Sequence, residues 1–211
     1  MKITSIISSI IFATMASAVA AESAASADGF TPLALADLET EGNWAADGEG
    51  VIGLVPREGE SGWKRYNHYL WVPGTFENFS FDFEYQHGAG GNSGLYFRVS
   101  DQADPVASGF EVQIMDSTGK ADSEMGHHDL GGIIQTHGAS KNMSKAPGEW
   151  NRMTVTLEGN HLKVVLNGET IQDLDLAASK KPDKELAASG KISIQDHGLP
   201  FAVRNLRVKK L

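Results

Sequence analysis

Three short segments of the chain alternate apolar with polar residues, and their polar positions carry side chains that can do chemistry. The segments are 93–99, 109–114 and 190–197. Their reactive or hydrogen-bonding positions are Tyr96, Arg98, Glu111, Gln113, Gln195 and His197. A merely solvated sheet face usually carries Lys, Thr, Ser and Glu. The combination of phenol, guanidinium, carboxylate, amide and imidazole groups instead favours a surface that binds a sugar.

The alternation itself predicts the elements that position these groups. Side chains of a β-strand point alternately to the two faces of its sheet, so each segment can bury its apolar positions and present the polar ones together. Similar runs, separated by Gly, Asn and Pro, predict an all-β sandwich of two sheets. The predicted strands are 51–55, 69–72, 79–86, 94–99, 110–115, 132–136, 151–157, 162–166, 191–195 and 202–208. The one helix predicted is short and covers 182–188.

Acidic residues also occur in alternation, at Asp82 and Glu84. Ordinary glycosidases use two carboxylates, roughly 5–5.5 Å apart for retention or 6.5–9.5 Å for inversion. Asp82 and Glu84 are therefore either such a catalytic pair or a solvated face. Glu111 has no acidic partner on its own strand face, where Gln113 and Met115 follow it. This absence argues against double displacement at Glu111.

The N-terminal residues predict export. Lys2 precedes a mostly apolar run that ends in the small residues Ala18-Val19-Ala20, as in a cleaved secretory signal. We therefore predict a signal peptide at 1–20, a flexible leader at 21–29 and a single domain at 30–211, located in the periplasm or outside the cell. The apolar run is short and interrupted by Ser and Thr, so we predict no membrane anchor.

Charge and composition limit the partners. The formal net charge of −9 argues against nucleic acid and anionic membranes as partners and is compatible with a neutral oligosaccharide or glycoside. The chain contains no cysteine, which excludes thiol catalysis, cysteine zinc sites and a disulfide-linked partner.

Several motifs resemble one known family. Segment 91–98 reads Gly-Asn-Ser-Gly-Leu-Tyr-Phe-Arg, and segment 109–116 reads Gly-Phe-Glu-Val-Gln-Ile-Met-Asp. Shorter motifs follow in order at 148–151, 166–168, 195–198 and 203–206. Together they resemble the 3-keto-disaccharide hydrolase family, formerly a domain of unknown function. The resemblance implies a concanavalin A-like jelly-roll fold of two antiparallel sheets and cleavage of glycosides that carry a ketone at C3.

The implied chemistry assigns roles to these residues. A ketone at C3 acidifies the C2 hydrogen, so a base can remove it and the C1 substituent can leave. The reaction needs a base, a proton donor and a stabiliser of the enolate. We assign Glu111 and His197 as base and acid, in either order, and Arg98 to the enolate; Arg98 can also pair with Glu111. The predicted substrate-binding residues are Glu84, Asn92, Tyr96, Gln113, His137 and Gln195.

The histidines raise the question of a metal. His127, His128, Asp129 and His137 are close in sequence but match no known zinc spacing. We predict no cofactor, although a divalent cation would suit an enolate. One departure from the family pattern is Ile134, which stands where relatives usually carry Tyr.

Three other functions compete with the 3-keto-glycosidase prediction. The first is a non-catalytic carbohydrate-binding module that uses the same polar face. The second is an ordinary glycosidase that uses Asp82 and Glu84, and the third is a structural protein of the cell envelope.

Overall fold

The structure is a computed structural model that describes residues 26–181 and 183–211. The predicted signal peptide lies outside the described residues. The strands are β1 (Thr31–Pro32), β2 (Trp44–Ala46), β3 (Ile52–Leu54), β4 (Leu70–Phe76), β5 (Phe79–His87), β6 (Asn92–Val99), β7 (Phe110–Met115), β8 (Asn151–Glu158), β9 (His161–Leu166), β10 (Glu169–Asp175), β11 (Gly190–Ile194) and β12 (Phe201–Lys210).

Helical structure is minor in the described residues. Two α-helices of one turn are formed, α1 (Pro105–Ser108) and α2 (Leu176–Ser179), where at most one short helix was predicted. Single 3₁₀ turns occur at Leu35–Asp37, Tyr66–His68 and Asp122–Glu124. No described helix is long and apolar enough to cross a membrane.

Two predicted elements are wrong. Residues 183–188 form a turn, bends and irregular backbone rather than a helix. Segment 132–136 forms a turn in which Ile133 makes isolated bridges to Val112 and His137. The backbone of this segment covers the open edge of β7, because Ile134 N donates to Glu111 O and Gln113 N donates to Gly132 O. Pairing along so short a stretch does not extend into a strand.

The strands form two antiparallel sheets, as predicted. The larger sheet has the order β10-β9-β8-β5-β12-β3-β2, with β1 also paired to β12, and the smaller has the order β4-β11-β6-β7. The turns at Gly159-Asn160 and Asn167-Gly168 join β8, β9 and β10 into a meander. Segments that are distant in sequence, such as β5 and β12, are neighbours in the sheet.

The core lies between the two sheets and is built from the alternating apolar positions. Phe81 and Phe83 from β5 and Leu95 and Val112 from the smaller sheet are at most 1% exposed. Burial of each such side chain contributes about 1.5–3 kcal/mol relative to leaving it exposed. The core thereby fixes which face of β6 and β7 is turned away from the other sheet.

A β-bulge interrupts the alternation in β6. Tyr96 pairs with Ser193 and Val99 with Lys191, so two residues of β6 oppose the single Ile192 of β11. Arg98, inside this bulge, has a φ of 54°. A bulge adds one residue to a strand and reverses the facing of the residues beyond it. Val99 therefore joins Tyr96 on the outer face, contrary to the simple alternation.

The outer face of the smaller sheet carries its own aromatic cluster. Tyr69, Trp71, Tyr96 and Val99 are buried there, separate from the main core. The Tyr69 and Trp71 rings stack at 6.1 Å, and those of Tyr69 and Tyr96 lie 5.6 Å apart. The candidate site lies beside this cluster, and Tyr96 belongs to both.

Candidate functional site

A cavity of about 370 Å³ opens on the outer face of the smaller sheet. Its floor is formed by Tyr96, Glu111, Gln113 and Gln195. The remaining lining residues come from loops, α1 and strand ends, and they are Trp63, Asn92, Val106, Met115, His128, Ile134, Gln135 and His197. The volume is that of a small-molecule site.

Glu111 is the central titratable group of the floor. It is 9% exposed, and its carboxylate lies directly over Gly94, where any side chain would collide with it. No Lys, Arg or His nitrogen of the described residues lies within 4.0 Å of it. Burial raises the pKa of Glu111 to about 7, against a smaller lowering by a hydrogen bond from Tyr96. Such a carboxyl can both take and give a proton near neutral pH.

A hydrogen-bond chain connects the floor to the wall. The Tyr69 hydroxyl donates to Trp63 O at 2.7 Å. Gln195 Nε2 donates to the Tyr69 oxygen at 3.2 Å and to the Tyr96 oxygen at 3.4 Å. Burial raises the pKa of both tyrosines well above the ordinary value of 10, so both stay protonated. The direction of donation in these hydrogen bonds is therefore fixed: Gln195 donates to both tyrosines, and Tyr69 donates to the Trp63 carbonyl.

Gln113 has a different arrangement. Its Oε1 accepts the backbone N–H of Ile114 at 3.0 Å, and the residue is 6% exposed. The only side-chain hydrogen bond of Gln113 within the described residues is this one through Oε1, so Nε2 has no partner there, and Gln113 lines the cavity.

His197 lies at one end of the cavity beside Asn92. The distance from Asn92 Nδ2 to His197 Nε2 is 3.1 Å. An amide nitrogen can only donate, so Nε2 accepts and the neutral ring carries its proton on Nδ1. Burial lowers the pKa of His197, which favours that neutral form. Asn92 thus orients the imidazole.

A buried ion pair fixes the wall that carries Trp63. Arg65 Nη2 lies 2.5 Å from Asp196 Oδ1, and Asp196 is 0% exposed. Asp196 also accepts from Gly198 N at 2.7 Å. Because Asp196 directly precedes His197, this pair holds the Trp63 loop and the imidazole in one arrangement.

The structure brings six of the predicted site residues together. Each of them lines the cavity: Asn92, Tyr96, Glu111, Gln113, Gln195 and His197. Their catalytic and binding roles remain predictions.

Arg98 does not reach the cavity, and the predicted pair with Glu111 is not formed. The bulge re-aims its side chain toward the backbone at the far end of the sheet. Its guanidinium donates to Glu77 O at 3.0 Å, to Gly159 O at 2.7 Å and to Ala187 O. Arg98 is 3% exposed and ties three loops together. This is a structural arrangement.

Glu84 and His137 also lie outside the cavity. Glu84 is on β5 in the larger sheet, where Arg204 Nη2 lies 2.7 Å from it and Asn205 Nδ2 donates to it at 2.9 Å. His137 lines a separate hollow of about 210 Å³ beside β10. The histidine that does line the cavity from that loop is His128.

The histidine-rich loop gathers no metal ligands. Among residues 26–181 and 183–211, no group of three or more His, Asp or Glu side chains is arranged to hold an ion. Asp129 is occupied by Lys120 Nζ at 2.7 Å and by Gly126 N at 2.8 Å. The rings of His127 and His128 pack at 4.2 Å.

Two contributors were missed by reasoning from the sequence. Tyr69, directly before β4, supports Gln195, and Arg65 pairs with a residue 131 positions away. Trp63 lies in the polar segment 61–68 together with Tyr66, and the sequence left open whether it contacts a sugar or anchors the loop. None of these contacts follows from local periodicity.

A family profile for the 3-keto-alpha-glucoside-1,2-lyase-like domain matches residues 26–209. The chain belongs to this family. No curated protein matches the sequence. Membership in the 3-keto-alpha-glucoside-1,2-lyase-like family supports a carbohydrate-related function.

Solved structures show the fold. A candidate glycosyl hydrolase from Parabacteroides distasonis is 26% identical, with a TM-score of 0.70 over 86% of this chain and 99% of that chain. A carbohydrate-binding module from Bacillus subtilis is 12% identical, with a TM-score of 0.55 over 86% and 96%. A galectin-like protein of unknown function from Bacillus subtilis is 13% identical, with a TM-score of 0.55 over 83% and 90%. The predicted jelly-roll fold is confirmed.

Ile134, the departure from the family pattern, lines the cavity. Its backbone N–H donates to the backbone carbonyl of Glu111 at 3.0 Å, and both residues line the cavity. An aliphatic residue at this position makes the lining of the cavity less polar than a Tyr would.

Proposed function

We propose that this protein cleaves glycosides that carry a ketone at C3, by removing the C2 proton and eliminating the C1 substituent. The observation that carries the proposal is Glu111, a buried carboxyl without a cationic partner among the described residues, in a cavity of sugar size. Membership in the 3-keto-alpha-glucoside-1,2-lyase-like family supports the same reaction.

The reaction balances without a cofactor. A base takes the C2 proton, and the electrons of that C–H bond form a C2=C3 double bond as the carbonyl pair moves to oxygen. When the carbonyl re-forms, the C1–O bond breaks and the departing oxygen takes a proton. The products are an alcohol and a 1,2-unsaturated 3-keto sugar. Addition of water across that double bond then gives the free 3-keto sugar.

Glu111 is the group best suited to take the C2 proton. A carboxylate with a pKa of about 7 is a much stronger base than an ordinary one, and it is still substantially ionised at neutral pH. His197, oriented by Asn92, then protonates the departing oxygen from the charged form of its ring, which its lowered pKa makes the minor form at neutral pH. If activity rises as the pH passes through 7, Glu111 acts as the base. A fall over the same range would reverse the two roles.

The lining of the cavity argues against ordinary glycoside hydrolysis. Among its described lining residues Glu111 is the sole carboxylate, whereas retention and inversion each need two. Elimination beside a ketone needs one base, which matches this composition.

The proposed substrate is a small neutral glycoside or oligosaccharide, which the protein encounters in the periplasm or outside the cell. Neither nucleic acid nor a membrane anchor takes part, and no cofactor is required.

The test uses two ligands that differ only at C3, a glucoside with a chromophoric aglycone and its 3-keto derivative. We expect release of the aglycone from the 3-keto derivative alone. Turnover of the unoxidised glucoside would instead indicate ordinary glycosidase chemistry. Absence of turnover with both would remove the enzymatic proposal.

A carbohydrate-binding module is the second candidate, favoured by an aromatic and amide-rich cavity on a fold shared with such a module. Calorimetry with the same two ligands separates the candidates. A binding module should give a binding signal with these ligands, and both ligands should be recovered unchanged afterwards.

A further inference from the structure

Elimination beside a ketone passes through an enolate, whose negative charge develops on the C3 oxygen. Preorganised hydrogen-bond donors aimed at such an oxygen are a major source of catalysis. Arg98, the donor predicted from the sequence, points away from the cavity and is held by backbone carbonyls. Under the proposed function, on which this inference rests, another group must therefore donate a hydrogen bond to the C3 oxygen.

The orientation of the Gln113 amide is set by chemistry. The amide atom that faces the Ile114 N–H at 3.0 Å must be Oε1, because an amide nitrogen cannot accept a hydrogen bond. Nε2 is therefore the free end, with two N–H donors and no partner among the described residues. The strand holds this free end at the cavity, since the amide is anchored to its own backbone.

Gln195 has the same side chain in the same cavity but no donor to spare. The Tyr69 hydrogen is committed to the Trp63 carbonyl, so the Tyr69 oxygen can only accept, and the amide that meets it must present Nε2. The second N–H of that nitrogen is directed to Tyr96. Both donors of Gln195 thus serve the tyrosines, and Gln195 positions the floor.

The spacing of Gln113 from the base fits the reacting atoms. Glu111 and Gln113 share one face of β7, and the Glu111 carboxylate lies over Gly94, the residue of β6 that pairs with Gln113. The base acts on C2 and the enolate donor on the oxygen of the adjacent C3. With each contact about 3 Å long, the carboxylate and the amide can reach the adjacent C2 and C3 positions of one sugar from neighbouring places on the sheet.

We propose that Gln113 is a catalytic residue whose Nε2 donates to the C3 oxygen of a 3-keto sugar and stabilises the enolate. The strand then supplies base and enolate donor from neighbouring positions on one face. A glycoside with a hydroxyl at C3 gains no such stabilisation, because no negative charge develops there.

The test isolates enolate formation from cleavage. The probe is a 3-keto sugar without a leaving group, 1,5-anhydro-3-ketoglucitol, and the readout is incorporation of deuterium at C2 in heavy water. The variants are Gln113→Glu, which keeps an acceptor for Ile114 but has no amide donor, and Gln113→Met, which has neither. Gln195→Met is the matched control. Release of aglycone from a 3-keto-glucoside is measured alongside, across pH.

We expect both Gln113 variants to lose about 10²–10³-fold in pH-independent exchange rate, as when one oxyanion donor is removed. Because Gln113→Glu keeps the Ile114 contact, a purely structural role predicts near-normal exchange in that variant and loss in Gln113→Met alone. Gln195→Met should shift the pH profile and lose no more than about tenfold, the value of one ordinary hydrogen bond.

Near-normal exchange in Gln113→Glu would overturn the assignment of Gln113, while leaving the proposed function intact. Exchange by the unmodified protein without aglycone release would retain the enolate step and refute elimination. Absence of both exchange and release in the unmodified protein would remove the proposed function and this inference together.

Discussion

The two sheets of this protein place carboxylates in opposite electrostatic settings. On the outer face of the larger sheet, Asp82 accepts hydrogen bonds from Arg152 and Arg207 at 2.7–3.0 Å. On the smaller sheet, Glu111 faces a cavity with no cationic partner among the described residues. Both acids are nearly buried, at 3% and 9% exposure. Burial alone therefore does not determine what a carboxylate does.

The difference appears in the direction of the pKa shifts. Hydrogen bonds and charges from arginines overcome burial and lower the pKa of Asp82 and of its neighbour Glu84. At Glu111 burial dominates and raises the pKa to about 7. The arginine-paired acids stay ionised and strengthen the sheet. Glu111 is left able to exchange a proton at neutral pH, at a cost in stability.

The largest effect should follow from removing the unpaired acid. Glu111→Gln should lower kcat on a 3-keto-glucoside by about 10²–10⁴-fold, the usual contribution of general acid–base catalysis. Glu84→Gln, the matched change on the other sheet, should leave kcat nearly unchanged. Steady-state kinetics of the two variants test this. An equal loss of kcat in both variants would contradict the assignment of the reaction to the cavity.

Stability should change with pH in opposite senses for the same two variants. The pKa of Glu111 is about 7 in the folded protein and 4.5 in an unperturbed chain. As the pH rises from 4.5 to 7, the unfolded state therefore loses this proton before the folded state does, and the fold is destabilised. Glu111→Gln should therefore gain stability over the parent protein between pH 4.5 and 7, by at most about 3 kcal/mol.

The pKa of Glu84 is lowered, so its ionic contacts stabilise the fold above pH 4.5 and are lost as the pH falls through the folded pKa. Glu84→Gln should thus be less stable than the parent at pH 7, with the difference shrinking in acid. Urea unfolding across pH measures both trends. Parallel trends would contradict the contrast between the two sheets.

Removal of the carboxylate that binds the two arginines should lower the free energy of unfolding and leave kcat unchanged. In Asp82→Asn, Arg152 and Arg207 lose charged acceptors, and we expect a loss of about 2 kcal/mol, within the range for hydrogen bonds to charged groups. The measurement is urea unfolding at pH 7, with kcat as the control. A folded variant with lowered kcat would show that the two sheets are coupled.

Local alternation was sufficient to predict most of the fold and the floor of the site. On β7, the apolar positions Phe110, Val112 and Ile114 pack inward, so Glu111 and Gln113 necessarily share the outer face. This part of the site depends only on the period of a strand. It could be derived without knowing which strands pair.

Arg98 was placed wrongly, and the Arg65–Asp196 contact was missed, because both depend on pairing between segments that are distant in sequence. The sequence around Arg98 alternates regularly, and the bulge exists only because β6 is paired with β11 in a shifted register. The Arg65–Asp196 contact likewise joins segments 131 residues apart. Nothing in the neighbourhood of either residue encodes these contacts. The donor to the enolate was for that reason assigned to Arg98.

The smallest effect should distinguish two tryptophans, one for each sheet. Trp63 lines the cavity, so Trp63→Ala should remove an aromatic contact worth about 1 kcal/mol and raise KM several-fold with little change in kcat. Trp150 lies under the Arg204 guanidinium at 4.1 Å, and Trp150→Ala should lower the melting temperature while leaving KM unchanged. Kinetics and thermal unfolding of the pair measure both. If Trp63→Ala changed only stability, the wall held by Arg65 would be a structural support rather than part of the sugar site.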